Sequence, residues 1–197
     1  MLGIPNYKPN FHTSAADFKN AFNATLFELI GKRIEKFWVM WNTKQNEWFN
    51  DGPIVLEIDG KRYEFTAFQL DEFSLTIDTF NLKDKLDWYG MGDDLPLIWK
   101  ENGNSDLAKN LNKNIVGINI LTFNFISEDL ASGEEHETGA MLNGIEFVLE
   151  KESPSDIENF FSIFNALDQN GLDKVEIRQE NQIQRIKITN GNNDLRQ

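Results

Sequence analysis

Across residues 54–68, apolar and polar positions alternate on both sides of Asp59-Gly60: Ile-Val-Leu-Glu-Ile-Asp-Gly-Lys-Arg-Tyr-Glu-Phe-Thr-Ala-Phe. Alternation is the mark of a strand with one buried face, and Asp-Gly tolerates the positive φ that both central residues of a type I′ turn require. The hairpin this predicts pairs Ile58 with Lys61, Glu57 with Arg62, Leu56 with Tyr63, Val55 with Glu64 and Ile54 with Phe65. Ile54, Leu56, Ile58, Tyr63 and Phe65 then share a core face, while Glu57 and Arg62 meet as opposite charges on a wet one.

Upstream, Pro5 and Pro9 predict an extended arm over residues 1–12. Ser14 and Asp17 resemble a capping box, and Phe18, Ala21, Phe22, Thr25, Leu26 and Leu29 recur at helical spacing before Gly31 ends the helix. Residues 34–41, rich in apolar and β-favouring side chains, read as a strand covered on both faces, followed by a polar loop over 42–46. Beyond the hairpin, Phe73, Leu75 and Ile77 alternate with polar residues as a further strand.

The same order recurs in the second half. Ser105 caps a brief helix over 106–111, Asn112 stands where Gly31 stood, and a strand is implied up to Leu121. After an acidic loop over 127–137, residues 138–149 place Asn143-Gly144, another type I′ dipeptide, between alternating runs. That turn would put Ala140, Leu142, Ile145, Phe147 and Leu149 on one face. A repeated unit of helix, strand and hairpin is therefore expected, with two generic hairpins as the competing reading.

Residues 155–171 fit either a helix capped by Ser155 and Glu158 or a capped turn and a strand over 161–167. The repeat favours the strand. Residues 175–177 and 183–188 read as an edge hairpin, and the polar end from residue 190 as a loose tail. The expected fold class is α+β, mostly antiparallel β-sheet. It comprises an arm (1–12), a first copy (13–86), an aromatic and acidic connector (87–104), a second copy (105–189) and a tail (190–197), and the copies can share one domain.

Composition narrows the function classes. The chain has 197 residues, 40% of them hydrophobic, with 16 Phe and 5 Trp, enough for a core of its own. Its net charge of −13 argues against a generic binder of nucleic acid or anionic membrane, and favours a basic partner or simple solubility. The absence of Cys removes disulfides, thiolate metal sites and thiol nucleophiles. The N-terminal residues lack the basic and apolar regions of a signal peptide, so the cytoplasm is the expected compartment.

The most unusual stretch is Leu86-Asp-Trp-Tyr-Gly-Met-Gly-Asp-Asp-Leu-Pro-Leu-Ile-Trp99, where large aromatics lie between glycines and acids. Glycine lets a backbone approach a partner while Trp and Tyr supply rigid contact area, so Trp88, Tyr89, Met91, Asp93, Asp94 and Trp99 are the candidate binding residues. The competing and preferred reading is that Trp88 and Trp99 pin the connector onto a sheet. No catalytic residue, metal ligand or cofactor is nominated. His12 and His136 are the only histidines; Glu134, Glu135, His136 and Glu137 read as a solvated charge run. Asp71-Glu72 and Asp93-Asp94 sit at turns, where acids are common, and Gly90-Met-Gly lacks the lysine of a phosphate loop. No Gly-x-Ser-x-Gly occurs.

Leu29-Ile-Gly-Lys-Arg-Ile-Glu-Lys-Phe-Trp-Val-Met-Trp41, Trp48-Phe-Asn-Asp-Gly52 and Leu86-Asp-Trp-Tyr-Gly-Met-Gly92 resemble stretches of small, acidic, uncharacterised cytosolic bacterial proteins. The resemblance implies a bacterial origin and carries over no functional residue. Three readings follow. The first is a non-enzymatic binding protein, of the immunity type, that neutralises a basic partner. The second is a carbohydrate or small-molecule domain, binding or hydrolysing, with a cleft between the copies. The third is a structural scaffold, homodimeric through exposed strand edges.

Overall fold

Ser14 sets the start of the first helix, α1 (Ala15–Phe27), by accepting the Asp17 N–H at 3.2 Å in the computed structural model. The model describes residues 3–129, 131–151, 153, 159–173 and 183–190. Phe18, Leu26 and Leu29 bury the helix face that the spacing predicts, although Ala21 turns outward. Gly31 leaves the helix with a left-handed φ of 89°.

The first sheet holds β1 (Ile34–Asn42), β2 (Glu47–Trp48), β3 (Ile54–Ile58), β4 (Lys61–Phe68), β5 (Glu72–Ile77) and β6 (Leu97–Glu101). Its order is β2-β1-β3-β4-β5, with β6 on the other edge of β1, since Trp38 faces both Val55 and Glu101. The β3–β4 hairpin has the expected register in all its pairs, and Asp59 and Gly60 turn with φ 53° and 72°. Asp-Gly specifies this turn without help from the rest of the fold.

The outward face of this sheet is not the wet face that alternation predicts. Met40 and Val55 are buried there beneath Ile4 and Tyr7 of the arm and Phe80, Leu86, Trp88 and Leu97 of the connecting chain. Alternation assumes water on the second face, and here the arm and connector replace that water. Glu64, fully buried, accepts from three donors: Thr76 Oγ1 at 2.5 Å, Thr79 Oγ1 at 2.5 Å and the Thr79 N–H at 2.9 Å. Burial also pushes the Tyr7 phenol well above its ordinary range. Arg62 reaches Asp78 at 3.2 Å, and Glu57 lies 3.8 Å from Lys36, so each half of the expected cross-strand pair has an ionic neighbour elsewhere.

The second half enters through α2 (Ser105–Ala108), shorter than expected and capped one residue earlier, by Asn104, whose side chain accepts the Asp106 and Leu107 N–H groups at 3.0 Å. Asn112 then turns with φ 63°. Strands β7 (Ile115–Glu128), β8 (Glu135–Leu149), β9 (Asn159–Asn165), β10 (Asn170–Asp173) and β11 (Ile183–Lys187) form the second antiparallel sheet in the order β10-β9-β8-β7-β11. An isolated bridge, Arg33 to Asn114, ties the starts of the two sheets together.

The second hairpin does not exist. Asn143 and Gly144 lie inside β8, where Leu121 faces Gly144 but Thr122 faces Leu142, so Asn143 is the extra residue of a β-bulge. A Cβ on Gly144 would stand 2.2 Å from the Ile163 carbonyl oxygen of β9, which is why glycine is needed there. Asn-Gly therefore serves close strand packing and not a reversal. Without a second hairpin, the expected repeat of a helix, strand and hairpin unit is not shown. The expected acidic loop over 127–137 is shorter, because β7 and β8 stay paired out to Glu128 and Glu135 and take up both its ends.

Residues 161–165 are strand and not helix, and β9 ends before Leu167. The alternative caps at 155–158, the strand expected at 175–177 and the tail at 191–197 lie outside the described residues. β11 pairs with β7 as an edge strand. The two sheets and α1 share one core, in which Phe65 meets Phe147 edge-on at 5.9 Å and Phe147 stacks on Phe161 at 5.0 Å. No helix among the described residues is long and apolar enough to cross a membrane.

Candidate functional site

The connector between β5 and β6 carries two short 3-10 turns, Trp88–Gly90 and Gly92–Asp94. The arm fixes its base. The Asp87 N–H donates to the Gly3 carbonyl at 2.9 Å, and Gly3 lies so close that a Cβ there would stand 2.2 Å from the Asp87 carbonyl oxygen. The Asp87 carboxylate in turn accepts the Gly92 N–H at 3.0 Å. Gly90 and Gly92 both take left-handed φ, 77° and 52°.

This geometry divides the six candidate binding residues into two groups. Trp88 is buried, edge-on to Phe49 at 5.0 Å, and Trp99 is half-buried in β6, stacked on Phe80 at 5.2 Å. Both tryptophans hold the connector to the sheet. Tyr89 and Met91 point outward, 68% and 48% exposed, beside exposed Asp93 and Asp94. Asp87, also exposed, joins them. Tyr89 takes a left-handed φ of 49°, a conformation that costs a bulky residue about 1–3 kcal/mol. Among the described residues, the ion pairs engage Asp59, Glu57, Asp78, Asp106 and Glu146, and none involves these three connector carboxylates.

Phe49 leads from the connector to a second group of residues. Its neighbour Asn50 donates through Nδ2 to Gln169 Oε1 at 2.8 Å and accepts the Asn170 N–H at 2.9 Å. Between β9 and β10, Leu167 and Asp168 form a two-residue left-handed turn, φ 64° and 75°, closed by the Ala166 N–H on the Gln169 carbonyl at 2.8 Å. Asp168 Oδ1 accepts the Gln69 N–H of the β4–β5 turn at 2.6 Å, so the two turn tips abut. Buried Asn165 and Asn170 bolt them in place. Asn165 Nδ2 donates to the carbonyls of Gln69 at 2.9 Å and Glu72 at 3.2 Å, while Asn170 spans the carbonyls of Asn50 and Gly52 and the Ala67 N–H.

The sequence pattern places a turn near Asp71-Glu72 but does not announce the β9–β10 turn or its contact with the first. Leu-Asp is not a turn dipeptide, and asparagines at strand ends are too common to signal a bolt. Asp51 reaches solvent at this rim, yet the surrounding loop shields its carboxyl; burial first, and the charge of Asp168 second, push its pKa up. A carboxyl with a raised folded pKa stabilises the fold most below its unfolded pKa and loses that contribution as pH rises through the folded value. Asp51→Asn is therefore expected to raise the melting temperature at neutral pH, with the gain disappearing once pH falls below the carboxylate range. An equal gain at both pH values would show that charge is not the cause.

Elsewhere, a half-open depression of about 270 Å³ is lined by Glu28, Leu29, Lys32, Asp59, Lys61 and Tyr63. Lys32 Nζ sits 2.7 Å from Asp59 Oδ2, and this hydrogen bond holds the Asp59 carboxyl below its ordinary range. The depression is a charged notch beside the β3–β4 turn, with the ring of Tyr63 buried and not available for stacking. His12 packs edge-on against Phe18 and Phe22, both at 5.7 Å. No group of three or more His, Cys, Asp or Glu residues gathers to hold a metal among the described residues.

Comparison of the chain with protein-family models, with curated proteins and with solved structures found no match in any of the three.

Proposed function

We propose that this is a non-enzymatic binding protein whose connector face receives a basic partner, with an immunity-type role, neutralising a basic toxin, as its specific form. The observation that carries the reading is Tyr89: an aromatic residue held in a costly left-handed conformation and exposed, in a connector whose Asp87, Asp93 and Asp94 are exposed too. An exposed, rigid aromatic beside uncompensated acids suits steering of a cationic partner followed by anchoring. The net charge of −13 supplies the long-range component of that steering.

A displayed library of random peptides selected on the native chain tests the reading. Enriched sequences are expected to be rich in Lys and Arg, to lose binding as salt is raised, and to lose it again on the variant Tyr89→Ser with Met91→Ser. Enrichment of acidic or neutral sequences, or binding indifferent to that double variant, would remove the proposal.

A further inference from the structure

The abutting β4–β5 and β9–β10 turns expose two large aliphatic side chains, Leu70 at 59% and Leu167 at 67%. Neither exposure follows from a lack of alternatives. Leu167 stands at a left-handed position that glycine or asparagine would occupy at less cost, and Gln69, beside Leu70, is left-handed too at φ 53°. The tips are rigid, because Asp168, Asn165 and Asn170 fix both turns through side-chain hydrogen bonds to backbone. Asp51 and Asp168 flank them, close enough for the charge of one to raise the pKa of the other. Among the described residues no ion pair supplies either with a cation.

We infer that the paired turns are a docking surface for a basic polypeptide segment carrying aliphatic side chains, with Leu70 and Leu167 as apolar anchors and Asp51 and Asp168 as the acceptors of its cations. The inference rests on the reading of the chain as the receiver of a basic partner, and it extends that partner's footprint from the connector across Phe49 and Asn50 to the turns. Charge complementarity selects the occupant: a second copy of this chain, with the same acids at the same place, would meet like charge. Preorganised tips lose little conformational freedom on binding, so the apolar contact is available as affinity.

The test is an NMR titration of the intact chain with a short peptide carrying two leucines between lysines, and with a control in which both leucines are serine. The leucine peptide is expected to shift the amides of residues 69–71 and 166–169 and to bind about tenfold more tightly than the control, a difference of about 1.4 kcal/mol. Leu70→Ser is expected to reduce that preference by several-fold. Leu167→Gly is expected to do the same while leaving the melting temperature equal or higher, because glycine suits the left-handed turn; this separates lost binding from lost folding. Equal binding of both peptides, or no shift at the turns, overturns the inference. Shifts confined to residues 87–94 overturn it while leaving the connector reading intact, and shifts confined to the turns uphold it and remove the connector reading.

Discussion

Gly144→Ala is expected to cost about 3 kcal/mol of stability, the upper range for forcing atoms into a filled interior. The added Cβ would stand 2.2 Å from the Ile163 carbonyl oxygen and 2.6 Å from the Phe164 Cα, both backbone, so no side-chain rotation relieves the contact. Either β9 moves off β8 or the bulge at Asn143 is lost, and in both cases the packing of Phe147 on Phe161 is disturbed. Gly60→Ala makes the informative comparison. Its Cβ would meet nothing within 4 Å, so the only cost is that of the left-handed turn, about 1 kcal/mol. Urea unfolding of both variants distinguishes the causes; a Gly144→Ala cost no larger than that of Gly60→Ala would mean that β8 and β9 do not approach as closely as described.

Asn170→Ala is expected to cost about 2–5 kcal/mol, since it strands two backbone groups at a buried junction, each costing about 1–3 kcal/mol. Those groups are the Ala67 N–H, at 2.8 Å from Asn170 Oδ1, and the Gly52 carbonyl, at 2.9 Å from its Nδ2; the Asn50 carbonyl loses the Nδ2 donor at 3.0 Å but keeps the Asn170 backbone N–H at 2.9 Å. Asn170→Asp is no remedy, because a carboxylate keeps the acceptor but turns lone pairs on the two carbonyls. Both variants are expected to unfold at lower urea than the parent chain. A loss below about 1 kcal/mol for Asn170→Ala would mean that water replaces the side chain, and the junction is open instead of dry.

These two positions also mark where the sequence was legible. Asp59-Gly60 could be read correctly because local chemistry alone decides a two-residue turn between alternating runs, and the resulting register holds at every pair. Asn143-Gly144 has the same local chemistry, yet it lies between β7 and β9, and hydrogen bonding on both sides overrides the dipeptide. Leu167-Asp168 is the converse: a left-handed turn imposed on residues that do not favour it, held by bonds from Asn165 and Asp168 that no local pattern announces. The connector was visible from its composition, and the pinning role expected of Trp88 and Trp99 is what their burial and stacking display. What the pattern could not reveal is that Tyr89, one residue on and edge-on to the Trp88 ring at 5.5 Å, is exposed. That depends on a left-handed φ, which sequence records only indirectly through the neighbouring glycines.

The separation of anchoring from presenting residues is the core of the functional account, and it is open to a direct test. Hydrogen exchange of the free chain can be compared with that of the chain saturated with a Lys- and Arg-rich peptide selected on it. The account predicts slowed exchange at residues 88–94, at the loop 49–52 and at the turns 69–71 and 166–169, with the β3–β4 turn at Asp59-Gly60 unchanged. Protection that instead falls on the notch beside Asp59 and Lys32, or is spread evenly over the acidic surface, would contradict it.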